Sequence, residues 1–102
     1  MNHRTHLPQP DEALRRTRAD QAIRAGLHWI AQRLTTHRPT DHMTDNARRM
    51  AATRYAYDLH GDTGAGGALC ALLIERMPTH RPDETRGEYA LRLRRAAGKA
   101  NA

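Results

Sequence analysis

Apolar positions along the chain fall into four stretches separated by Pro- and Gly-containing breaks, and within each stretch their spacing is helical. In the first, Leu14, Ile23, Leu27, Ile30 and Leu34 form one stripe, with Arg18, Ala19 and Ala22 filling the gap after Leu14. Pro10 followed by Asp11 and Glu12 suits a helix start, because Pro tolerates the first turn and carboxylates meet the positive end of the dipole. The first helix is therefore predicted from near Pro10 to about Thr35. Arg15, Arg16, Arg24 and Arg33 lie mainly off its stripe, and Trp29 is displaced from the stripe's centre.

His37 to His42 breaks the period around Pro39 and reads as a loop. Thr44 or Asp41 can cap a second helix, in which Ala47, Met50, Ala51, Arg54 or Tyr55, and Asp58 or Leu59 keep helical spacing up to a stop at Gly61. Asp62 and Thr63 then lead into Gly64 to Gly67 and the apolar run Ala68 to Ile74, which ends at Met77 before Pro78. Apolar residues surround this third helix almost completely, so it is expected to be the central and most buried one. Thr85 and Glu88 have capping-box spacing for a fourth helix, with Tyr89, Leu93 and Ala96 or Ala97 inward, Arg92, Arg94 and Arg95 beyond them, and a stop at Gly98.

No strand alternation, internal repeat or sustained heptad accompanies these elements. The pattern predicts an all-α fold: a compact irregular array of about four helices around a central apolar helix, forming a single domain over residues 10–98. Residues 1–9 offer only Leu7 to bury and read as a mobile basic arm, and residues 99–102 as a flexible tail.

Composition makes this domain a thin one. The 102 residues include no Phe or Val, and the large apolar set is ten Leu, three Ile, four Met, Trp29 and three Tyr. Ala at helical spacing offsets the shortage by favouring helix and letting axes approach. A marginal fold completed by a partner, or by self-association into a homo-oligomer, is expected. The longest apolar run is too short to span a membrane and the N-terminus has no signal-peptide pattern, so a cytoplasmic location and no membrane partner are expected.

Chemistry-bearing patterns are sparse. Cys70 is the single cysteine and sits in an apolar run. After Gly66 come Gly67 and Ala68, without the Lys and hydroxyl of a phosphate-binding loop, so the glycines read as a tight turn and a close helix crossing. The pairs His3 with His6 and His37 with His42 lack the further ligands of a metal site. No nucleophile with a base and no carboxylate pair emerges, so neither an enzyme nor a metal or cofactor is expected.

Charge is more informative. The net charge is +6, and sixteen of the seventeen basic residues are Arg. The surplus belongs to the ends of the chain: residues 1–40 hold seven Arg against Asp11, Glu12 and Asp20, while residues 41–82 are balanced. That points to a small accessory or regulatory factor contacting nucleic-acid phosphates through Arg15, Arg16, Arg24, Arg92, Arg94 and Arg95 on the outer helices. The third helix offers no Arg, Lys, Asn or Gln between Gly64 and Ile74 to read base edges. The competing expectation is a protein-interaction module, a homodimer or an adaptor docking on an acidic partner, with Trp29, Tyr55 and Tyr57 as anchors.

Overall fold

The computed structural model describes residues 10–99 and is all-helical: α1 (Pro10–Thr36), α2 (Asp45–His60), α3 (Gly64–Arg76) and α4 (Arg86–Lys99). The arm proposed for residues 1–9 and nearly all of the tail lie outside the described residues.

Local chemistry sets the helix ends. Thr44, rather than Asp41, caps α2, its Oγ1 accepting from the Ala47 N–H at 3.0 Å. Gly61 stops α2 with φ of 69°, donating its N–H to the Tyr57 carbonyl at 2.7 Å. Thr63 caps α3 through the Gly66 N–H at 3.2 Å. The capping box of α4 is reciprocal: the Glu88 N–H donates to Thr85 Oγ1 at 3.2 Å, and Glu88 Oε1 accepts from the Thr85 N–H at 2.8 Å.

α1 is the helix that packs against all three others. α4 runs antiparallel beside it, with Arg94 Nη2 donating to Gln32 Oε1 at 3.3 Å and the Gly87 N–H donating to the Pro39 carbonyl at 2.9 Å. α2 and α3 form an antiparallel hairpin that crosses α1 at Gly26, where an added Cβ would lie 2.8 Å from Leu73 Cδ2 and 3.0 Å from Tyr55 Cε2. At the hairpin turn, a Cβ on Gly66 would lie 2.6 Å from the Gly61 carbonyl oxygen. The glycine-rich segment thus works as a tight turn with a close backbone approach.

The core joins Ile23, Leu27, Ile30, Ala31 and Leu34 of α1 to Ala51, Ala52 and Ala56 of α2, Leu69 and Leu73 of α3, and Tyr89, Ala90, Leu93 and Ala97 of α4. Two expectations need correction. The central helix is α1, because α3 buries only Gly66, Leu69 and Leu73 and leaves Leu72 40% exposed. An all-round apolar surface is buried only where neighbours surround it, and this 13-residue helix at the edge of the hairpin packs mainly on α2. Leu14 is also outside the core, at 49% exposure, since residues 11–19 of α1 are exposed throughout; the buried stripe begins at Ile23.

Polar contacts pin the two longer loops. Across the isolated bridge of His42 and Thr85, the Met43 N–H donates to the Glu84 carbonyl at 2.8 Å and the Arg86 N–H to the Asp41 carbonyl at 2.8 Å. The bonds to Asp41 and Pro39 satisfy first-turn donors of α4 that have no partner within the helix. Buried Arg48 pairs with Asp45 at 2.8 Å and donates from Nη1 to the Ile74 carbonyl at 3.0 Å, satisfying the negative end of α3. The Tyr89 hydroxyl donates to the Pro78 carbonyl at 2.5 Å.

Candidate anion-binding cleft

The six arginines proposed to meet nucleic acid lie on α1 and α4 and differ in setting. Arg15 and Arg16 lie on the exposed first half of α1, alongside Asp11 and Glu12. Arg24 is half-buried, and its Nε is buried without a hydrogen-bond partner among the described residues. On α4, Arg95 is exposed and Arg94 holds Gln32. Arg92 is turned inward: Nη1 donates to Glu84 Oε1 at 2.7 Å, Nη2 to the Thr79 carbonyl at 3.2 Å, and its Cζ lies 5.8 Å from the Tyr89 ring centroid.

Of the three aromatic residues proposed as anchors, Trp29 and Tyr55 are brought together, their ring centroids 5.4 Å apart and tilted by 48°, both half-buried against the core. Tyr57 lies elsewhere, over Gly66 and Gly67 at the start of α3. Cys70 is half-buried, with its Sγ 3.4 Å from Thr53 Oγ1. Among the described residues, no three His, Cys, Asp or Glu side chains converge as a metal site would require. No helix there is long and apolar enough to cross a membrane.

A cleft of about 390 Å³ lies between the end of α1 and the first half of α2. Its floor is Leu34, Ala47, Met50 and Ala51, with Met50 61% exposed. Around the floor stand Arg33, His37, Arg54 and Arg86, and no carboxylate lines the cleft. Arg33 is steadied by Trp29, its Cζ 5.6 Å from the ring centroid. Arg86 enters from the first turn of α4, placed there by the bond of its N–H to Asp41, and its Nε is buried without a hydrogen-bond partner among the described residues. Arg54 is tied only to exposed Asp58, at 3.6 Å along α2.

Three guanidinium side chains, Arg33, Arg54 and Arg86, with no lining carboxylate favour an anionic group in this space. A second concavity, beside α4, differs in kind: it sets Asp83, Glu84 and Glu88 among Arg81, Arg92 and Arg95, so its charges are balanced internally.

Sequence reasoning did not find the cleft cations, which come from three separate elements. One signal was present: Ala47, Met50, Ala51 and Arg54 keep the spacing of a core-facing stripe. In the structure α2 instead buries Arg48, Ala51, Ala52 and Ala56, leaving Met50 without a covering neighbour.

The chain matches no protein-family model, and no curated protein or solved structure is significantly similar to it.

Proposed function

We propose that the protein is a small, non-enzymatic binding module that docks on an acidic partner protein through the cleft between α1 and α2. The observation that supports this most is the pairing of an exposed apolar floor at Met50 with Arg33, His37, Arg54 and Arg86 and no lining carboxylate. Phosphates call for cations alone, whereas a protein segment presents carboxylates and apolar side chains together. Trp29 and Tyr55 belong to the same reading, Trp29 beneath Arg33 and Tyr55 packed against Trp29.

Nucleic-acid binding is the second reading, supported by Arg15, Arg16 and Arg95, which are exposed and make no ion pair among the described residues. The involvement of Arg92 with Glu84 and of Arg94 with Gln32 counts against a continuous phosphate-binding face. One experiment separates the two. The protein is titrated with mixed-sequence DNA, mixed-sequence RNA and acidic peptides at low and moderate salt, as the natural chain, as Arg33→Ala/Arg54→Ala/Arg86→Ala and as Arg15→Ala/Arg16→Ala/Arg95→Ala. The docking reading expects peptide binding that the first triple variant loses and the second keeps. Salt-sensitive nucleic-acid binding lost only in the second variant would overturn it.

A further inference from the structure

Resting on the docking reading, we infer that the cleft recognises an amphipathic acidic helix bearing carboxylates two turns apart with an apolar side chain midway between them. The floor supplies the spacing. Ala47, Met50, Ala51 and Arg54 follow one another along one face of α2, and from Ala47 to Arg54 the axis rises about 10.5 Å.

Cations stand at both ends of that strip. At the Ala47 end is Arg86, held there by the loop carbonyl of Asp41, with the His37 imidazole also lining the cleft. At the other end are Arg54, on α2 itself, and Arg33, braced on Trp29. The centre is Met50, whose unbranched thioether adapts to varied apolar partners and which no neighbouring helix covers.

A helix laid along α2 has the same rise per residue as α2. Its positions i, i+3 or i+4, and i+7 therefore fall opposite one cationic end, the Met50 floor and the other cationic end. Glu at i and i+7 with Leu at i+3 and i+4 satisfies all three at once. Charge complementarity favours this occupant over a second copy of the chain's own α2, which would bring Arg54 against the same cations.

The test uses the full chain and three helical peptides of equal length and net charge. The first has Glu at i and i+7 with Leu at i+3 and i+4; the second moves both Glu to the opposite face; the third replaces both Leu by Gln. Trp29 is the single tryptophan and lies under Arg33, so its fluorescence reports occupancy. The second and third peptides should each bind roughly tenfold or more weakly than the first. Met50→Glu, a change at an exposed site, should abolish binding while leaving the helical circular dichroism intact. Equal affinity for the first and second peptides would overturn the pattern while leaving a general acidic preference standing. No binding by any of the three would overturn the docking reading itself.

Discussion

Glu84 and Arg92 form a partly buried ion pair, with Arg92 Nη1 donating to Glu84 Oε1 at 2.7 Å and the Glu84 side chain only 6% exposed. The same carboxylate oxygen accepts the Arg81 N–H at 2.9 Å, so Glu84 ties the loop before α4 to the helix itself. An arginine that its exposed-looking helix position assigns to a partner is thereby part of the fold.

Arg92→Ala should therefore destabilise the protein by about 2–4 kcal/mol, because it strands a buried carboxylate. Arg94→Ala, whose contact to Gln32 is exposed, should cost under about 1 kcal/mol. Urea unfolding of the two variants checks the difference; equal stabilities would show that the Glu84 pair contributes nothing.

Acid should unfold the protein through its carboxylates. Burial pushes Glu84 upward, but the Arg81 N–H and the Arg92 guanidinium outweigh it and hold the group below its ordinary value of 4.5. Hydrogen bonds from Arg49 and Arg48 hold Asp45 below 3.8. With both values lower in the folded state, the stabilisation is present above the unfolded values and is lost as pH falls through the folded ones. The melting temperature should hold down to about pH 5 and then decline. Glu84→Gln, less stable at neutral pH, should show a shallower acid decline.

Alkali acts through Tyr89. Burial raises its hydroxyl from 10 to about 12, so the stabilisation is present below pH 10 and is lost as pH rises through about 12. Tyr89→Phe should remove that alkaline loss and the matching late phenolate absorbance. It should also cost about 1–2 kcal/mol at neutral pH through the lost bond to Pro78.

Within α3, Leu73 is fully buried and Leu72 is 40% exposed. Leu73→Ala should cost about 2–5 kcal/mol and Leu72→Ala under about 1 kcal/mol. Thermal unfolding over a range of protein concentrations measures both and reads self-association directly. A large loss from Leu72→Ala that shrinks on dilution, as the natural chain dissociates, would place Leu72 in an oligomer interface.

Gly26→Ala should cost about 1–3 kcal/mol, since its methyl would meet Leu73 Cδ2 at 2.8 Å and Tyr55 Cε2 at 3.0 Å where the hairpin crosses α1. A neutral result in chemical denaturation would mean that both side chains yield freely.

The chain's own pattern determined the four helices, the capping box of Thr85 and Glu88, the stop at Gly61 and the inner face of α4, and it narrowed the cap of α2 to Thr44 or Asp41. Each depends on residues within about two turns of one another, whose periodicity and hydrogen-bonding groups act locally. Only the tertiary structure decided which apolar surfaces are covered. Leu14 and Met50 occupy positions in helical stripes yet stay exposed, because burial requires a neighbouring helix and spacing within one helix does not specify where its neighbours lie. The same holds for charge: Arg92 lies on the solvent side of α4's own pattern, and Glu84 in the preceding loop turns it inward. Arg33, His37, Arg54 and Arg86 belong to three elements and acquire a common space only when α4 and the hairpin pack on α1.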